Sequence, residues 1–294
     1  MNPGVLYAAL AFAWWGVFPL YFKLVTTVPP AEVLAHRVVW SLLLLGGALT
    51  LRQQWKWLLP VLRRPKVLGA FAASAVLLAA NWLTYIWSVN NGHVIDASLG
   101  YFITPLVNVL LGYTFLHERP RQAQWVALGI ATLAVVWLTV QAGRLPWIAL
   151  LLAATFGAYG LLRKVAVLGA LEGLTLETLL LAPVAAVALW IWTRAGVGSF
   201  PADSLGTNLW LISLGPITAV PLLLFAAGAR RISMTTLGLL QYSSPLIQFV
   251  LGIWIFHEPF TPARLAGFAL IWLALIVYTA DGWRTTRRRR PLPA

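Results

Sequence analysis

Runs of about 18 to 24 mostly apolar residues recur from one end of the chain to the other, separated by short breaks of charge, proline and glycine, and each is long enough to cross a hydrocarbon core of about 30 Å as a helix. No soluble fold can hide that many. Of 294 residues, 60% are hydrophobic and 10% charged, against about 25% charged in soluble domains. In water such a surface would aggregate, whereas in lipid an apolar exterior matches its solvent and only loops and ends need charge. Ten runs fit, at 4–25, 31–51, 67–90, 94–116, 123–141, 146–168, 174–193, 209–229, 233–256 and 265–281. The expected fold is therefore an all-α integral membrane protein of ten transmembrane helices. The first run lacks a basic leader region and is long enough to span, so it reads as the first helix and not as a cleaved signal.

Basic residues set the orientation, because short cytoplasmic segments hold an excess of Lys and Arg. With the N-terminus inside, sixteen of the 21 fall on the cytoplasmic side: Arg52, Lys56, Arg63, Arg64, Lys66, Arg119, Arg121, Arg163, Lys164, Arg230, Arg231, Arg284 and Arg287 through Arg290. Only Lys23, Arg144, Arg194 and Arg264 fall on the other face, and Arg37 lies within the second span. Both termini are expected in the cytoplasm and the chain in a bacterial inner (plasma) membrane. One helix more or fewer would destroy this segregation.

The chain also repeats itself. Segment 105–118, PLVNVLLGYTFLHE, matches 245–258, PLIQFVLGIWIFHE, at six of fourteen positions, including Pro, Gly, His and Glu. The offset of 140 continues at Leu133-Ala134 and Leu273-Ala274, and Gly16 and Lys23 match Gly157 and Lys164 at 141. Two units follow, 1–142 with spans one to five and 146–283 with spans six to ten, then a basic tail at 284–294. Five spans per unit force the second copy to enter from the opposite side. Such inverted repeats enclose a central site that opens alternately to either face.

Polar groups at membrane depth face protein or water. In the third span Asn81, Tyr85 and Ser88 share one helical face. In the fourth, Ser98, Tyr101, Pro105, Asn108 and Gly112 do, and in the ninth Gln241, Pro245, Gln248 and Gly252, with Tyr242 beside Gln241. These stripes are candidate cavity walls, joined by Trp14, Phe18 and Tyr21 of the first span and Tyr159 of the sixth. The alternative is that amides and small residues bind helix to helix. Pro105 and Pro245, repeat mates in mid-span, are expected to bend their helices, as hinges or as static kinks. His36 and Arg37 lie about two turns inside the second span with Glu32 one turn before. Either Arg37 snorkels outward with Glu32 as counter-charge, or it serves an anionic substrate or a coupling step. Asp96 is either a proton carrier or a helix cap. His117-Glu118, His257-Glu258, Glu172 and Glu177 read as residues of span boundaries.

No catalytic residue, metal site or cofactor is expected. The chain has no cysteine, and it contains no Walker A, zinc, nucleophile-elbow or dinucleotide motif. Energy for transport would then come from a gradient, by proton coupling or exchange. The net charge of +13 sits between spans and in the tail, as topology signal and lipid anchor, so no nucleic acid partner is expected. Trp125, Trp147, Trp210 and Trp283 near span ends fit interfacial belts.

The segments AHRVVWS (35–41), NWLTYIWSVNN (81–91), ASLGYFITPLVN (97–108) and TLGLLQY (236–242) resemble the EamA permeases of the drug/metabolite transporter superfamily over essentially the whole chain. The resemblance implies two inverted five-helix EamA repeats, cytoplasmic termini and a central substrate cavity. In that pattern Asn often stands where this chain has Thr104, and Thr where it has Leu246, positions at which specificity would differ. The leading expectation is a secondary transporter of small amphipathic metabolites or drugs, in the export direction, by alternating access within the bilayer. The other two classes are an integral-membrane enzyme, with His93 and Asp96 or His36 and Glu32 as acid and base, and a passive channel. Substrate identity and oligomeric state are left open, a monomer being compatible with the sequence.

Overall fold

The computed structural model describes residues 3–117, 119–201, 204–229, 231 and 240–288. Helices account for nearly all of them: α1 Pro3–Gly16, α2 Phe18–Lys23, α3 Pro30–Leu51, α4 Leu58–Leu62, α5 Pro65–Asn90, α6 Val94–Leu116, α7 Gln122–Ala142, α8 Trp147–Val165, α9 Ala170–Arg194, α10 Leu205–Ala229, α11 Ser243–Trp254 and α12 Pro262–Arg288. Eight segments, counting α1 with α2 as one, are long and apolar enough to cross a membrane. The expected spans at 146–168 and 233–256 correspond to two shorter apolar helices, Trp147–Arg163 and Ser243–Trp254. The chain is a multi-pass helical membrane protein.

Local chemistry marks the ends. Proline opens α3 and α5, where its missing N–H is one the first turn leaves unbonded anyway. Gly143 closes α7 at φ 62, a left-handed conformation that glycine adopts without Cβ strain. The first span breaks between Gly16 and Phe18, which the apolar run did not foretell. Pro19 has no N–H to give the Trp15 carbonyl one turn earlier, and that carbonyl instead accepts the Gln248 amide of α11 at 3.1 Å. The kink thus becomes a bond between distant helices.

Eight helices close into a ring in which each packs on the next: α1, α10, α3, α9, α5, α8, α6, α11 and back to α1. The pair α7 and α12 stands outside, against α6. Ala127, Ala131 and Ala134 form a small-residue stripe on α7 that lets Phe268, Ile271 and Ala274 of α12 approach closely. Glycines bring ring helices to backbone contact. A Cβ at Gly215 would lie 2.6 Å from the Trp40 carbonyl oxygen, and one at Gly100 would lie 2.8 Å from that of Ala149. Outward faces stay apolar, as at Leu43, Val76, Leu133 and Val187. Polar side chains collect inside the ring.

Candidate substrate site

Helix α3 begins at Pro30, so its first two turns carry Glu32, His36 and Arg37 toward the protein interior, all three 3% exposed. Glu32 does not serve Arg37. Its carboxylate accepts the Ser199 N–H at 2.6 Å and the Ser199 hydroxyl at 2.9 Å, with His36 at 3.8 Å on the same face. Nor does Arg37 snorkel. Its Nε donates to the Thr218 hydroxyl of α10 at 2.7 Å, and its guanidinium carbon lies 3.9 Å from the centroid of the Trp82 ring of α5. Phe18 and Phe22 of α2 flank it at 5.6 and 5.9 Å. Among the described residues, its Nη1 is buried without a hydrogen-bond partner and no carboxylate lies within ion-pair distance.

Tyrosines complete the setting. The Tyr85 hydroxyl, also buried, lacks a partner among the described residues, and the Tyr85 ring packs on Phe22 and Tyr101. Tyr101 donates to the Asn81 amide oxygen at 3.2 Å, and the Asn81 amide donates at 3.0 Å to both the Leu152 carbonyl and the Thr155 hydroxyl of α8. Tyr21 donates to the Trp210 carbonyl and lies 2.8 Å from the Ser213 hydroxyl of α10. A cation with a free donor, a second free donor and a wall of aromatic rings can take an amphipathic anion.

Other sequence candidates separate. Trp14 is 40% exposed on the outer surface, and its neighbour Trp15 turns inward onto Phe12 and Phe225 instead, because successive helical residues point about 100° apart. Ser88 and Ser98 bond back to their own helices, at the Thr84 and Ile95 carbonyls. Asn108 is exposed beside Gly157 of α8, so it and its repeat mate Gln248, buried against Trp15, do not share one pocket. Gln241 and Tyr242 are partly buried, with Tyr242 packed against the apolar cluster that includes Phe249 and Phe268. Pro105 lies inside a continuous α6. Pro245, expected in mid-span, stands in the first turn of α11, where proline costs the helix little. Motif residues 236–239 lie outside the described residues.

Glu177 departs from its sequence expectation, and of the two readings of Asp96 the helix cap is not found. Glu177, read as a boundary residue, is fully buried in α9. Its carboxylate accepts the Ser74 hydroxyl of α5 at 2.5 Å and the Tyr159 hydroxyl of α8 at 3.4 Å, with the Arg163 guanidinium at 3.7 Å. Tyr159 therefore serves Glu177. The sequence did hold a signal: Glu177 is 140 residues after Arg37, the repeat offset. Asp96 does not cap α6. It pairs with His93 at 3.2 Å and Arg264 at 3.3 Å, while Glu258 supplies the cap by accepting the Val94 and Ile95 N–H groups at 2.6 and 2.9 Å. Burial pushes the Glu258 carboxyl above the ordinary carboxylate range, and those two N–H groups pull against it. Glu118, its repeat mate, lies outside the described residues. Beside this cluster, Trp87, Arg144, Trp147 and Phe268 line a cavity of about 310 Å³ that does not include Arg37.

A model of the EamA-like transporter family matches residues 2–140. The chain is 46% identical over 288 residues to Protein RarD of Streptomyces exfoliatus, covering 98% of this chain and 91% of that one. It is 45% identical over 291 residues to an uncharacterized transporter of Pseudomonas aeruginosa, covering 98% and 97%. It is 42% identical over 285 residues to Protein RarD of Escherichia coli K12, covering 97% and 96%. A protein crystal structure at 20% identity superposes with a TM-score of 0.64 over 95% of this chain and 98% of that one, which is a likeness of fold. The chain belongs to the EamA-like transporter family, as a RarD-type permease of the drug/metabolite transporter superfamily. It is a membrane transporter.

Proposed function

We propose that this protein is a secondary transporter in which a small amphipathic anion, a carboxylate or sulfonate on an aromatic or apolar body, binds at Arg37 and is exported by alternating access. The buried Arg37 guanidinium carries the reading. An ion of that size costs several kcal/mol to desolvate, and its Thr218 bond and Trp82 contact leave Nη1 unused. A charge kept at that cost without a counter-ion among the described residues is best accounted for by a ligand that brings one. The Tyr85 hydroxyl offers a second donor, and Trp82, Phe18 and Phe22 suit the apolar body.

The architecture of this reading is ten spans in two inverted repeats, in a bacterial inner membrane with both termini cytoplasmic. Its supports are the basic-residue split, the 140-residue offset and the packing: α1 lies on α10 as α8 lies on α5, while α3 meets α9 and α7 meets α12 about the same pseudo-two-fold. His117 and His257 both turn left-handed, at φ 53 and 51, at the ends of the matching segments. No cofactor enters the cycle.

The test is counterflow in proteoliposomes holding the full chain, with radiolabelled 4-hydroxybenzoate and benzenesulfonate as probes. Saturable exchange that Arg37→Met abolishes is expected, together with a probe-induced rise in thermal stability of the wild type. A non-saturating leak would make the protein a channel, and exchange unaffected by Arg37→Met would remove the anion site.

A further inference from the structure

We propose that Glu177 is the proton carrier that couples transport to a pH gradient, an inference that rests on the anion-transport reading of Arg37.

Glu177 is fully buried, and its carboxylate ties three helices together: α9 itself, α5 through Ser74, and α8 through Tyr159 and Arg163. The site is built around that contact. A Cβ at Gly173, one turn before Glu177, would fall on the Arg163 guanidinium, so a larger residue there would shift the cation from its place beside the carboxylate. Among the described residues, Arg163 and Tyr159 of α8 are the charged and titratable groups that act on Glu177, and Ser74 is its remaining partner. The other helices packed on α9, namely α3 and α10, add none. Arg163 Nη1 makes no hydrogen bond among the described residues, so the ion pair is a loose one that a proton can dissolve.

Position supplies the link to substrate. Glu177 is the eighth residue of α9, which starts at Ala170, and Arg37 is the eighth of α3, which starts at Pro30. In inverted repeats such mates approach the midplane from opposite faces, here carrying opposite charge. Ser74 and Trp82, which touch the two groups, are eight residues apart on α5, or about 12 Å along the helix. Rings bridge that gap: Tyr85 to Tyr101 at 5.7 Å, Tyr101 to Phe156 at 5.9 Å and Phe156 to Tyr159 at 6.0 Å between centroids.

The step is a proton transfer with no other bond made or broken. A hydronium ion gives its proton to a Glu177 carboxylate oxygen and becomes water. The neutral acid no longer attracts Arg163, which keeps its Nη2 bond to the Gly169 carbonyl at 3.1 Å, and the tie between α8 and α9 is loosened so that the two helices can move. In the other half of the cycle a water takes the proton back and leaves as hydronium, restoring the carboxylate and its ties.

Benzenesulfonate suits the test, because it stays anionic and does not leak as a neutral acid. With the membrane potential clamped at zero, a one-unit pH gradient drives about tenfold accumulation at one proton per anion. Wild-type proteoliposomes are expected to reach it. Glu177→Gln is expected to accumulate none while still exchanging probe at equal pH, since a permanently neutral side chain permits the cycle but carries no proton. Glu177→Asp keeps a titrating carboxyl and is expected to regain accumulation. Infrared difference spectra between acid and neutral pH give a readout without transport: a protonated-carboxyl band in the wild type that Glu177→Gln lacks. Full accumulation by Glu177→Gln, failure of Glu177→Asp alongside Glu177→Gln, or a band that persists in Glu177→Gln overturns the proposal. Wild-type exchange that ignores the pH gradient also overturns it and leaves the anion site standing. Absence of any wild-type exchange instead fails the anion-transport reading, and the infrared band then decides whether Glu177 is a proton site.

Discussion

Arg37→Met separates a binding residue from a structural brace, because the two roles predict opposite changes in stability. In the folded protein the guanidinium gains one charge-assisted hydrogen bond to Thr218, about 1.5–3 kcal/mol. Its desolvated contact with Trp82 adds about 2 kcal/mol. Against these stands the cost of burying the ion, again several kcal/mol. The terms nearly cancel, so an apolar side chain of similar length is expected to leave stability unchanged or to raise it by up to about 4 kcal/mol. Thr218 loses little, since its hydroxyl can turn to a carbonyl of its own helix. Binding of a sulfonate or carboxylate across two guanidinium N–H groups loses at least about 3 kcal/mol, or roughly two orders of magnitude in affinity. Thermal unfolding of the purified variant in detergent reads the first quantity, and equilibrium binding of benzenesulfonate the second. A stability loss above about 3 kcal/mol, the signature of breaking a buried charge pair, with binding retained would refute the reasoning. Arg37→Lys keeps the charge without the planar fork and is expected to fall between.

Glu258→Ala is expected to cost about 2–6 kcal/mol by stranding the Val94 and Ile95 N–H groups, whereas Glu258→Gln, which still accepts, costs far less. Since burial lifts the Glu258 carboxyl, the folded state holds its proton more tightly than the unfolded chain. Its contribution is therefore full below the ordinary carboxylate range and declines as pH rises through the lifted value, a slope in thermal stability that Glu258→Gln removes. Gln248→Leu is expected to cost about 1–3 kcal/mol by leaving the Trp15 carbonyl unpaired. In a Pro19→Ala background the restored helical N–H takes that carbonyl, so a double-mutant cycle with additive effects would contradict the account. Gly215→Leu should separate α3 from α10, displacing Thr218 from Arg37. Loss of benzenesulfonate binding together with a lowered melting temperature is the expected result, and unchanged binding would refute the close approach at Trp40.

Sequence by itself determined the membrane class, because apolar run length and the distribution of Lys and Arg are one-dimensional quantities that the bilayer reads directly. It also marked several helix ends, through proline at the starts of α3 and α5 and glycine after α7. It singled out Arg37, Tyr85, Tyr101 and Asn81, and in the fold Tyr101 contacts both Tyr85 and Asn81 while Arg37 lies over Trp82, next to Asn81 in the chain. Helical spacing told which residues share a face, not which face turns inward, and so Trp14, expected to wall the cavity, lies on the outer surface while Trp15 packs inward on Phe12 and Phe225.

Tertiary structure alone decided the partners of the charges. Glu32 looked like the counter-charge of Arg37 from one turn away, yet Ser199, 167 residues distant, takes it. Glu177 looked like an ordinary span end until α5 and α8 closed over it. Helical periodicity places a residue within its own helix, whereas burial and ion pairing depend on distant segments of chain, and those meet only when the ring of helices closes.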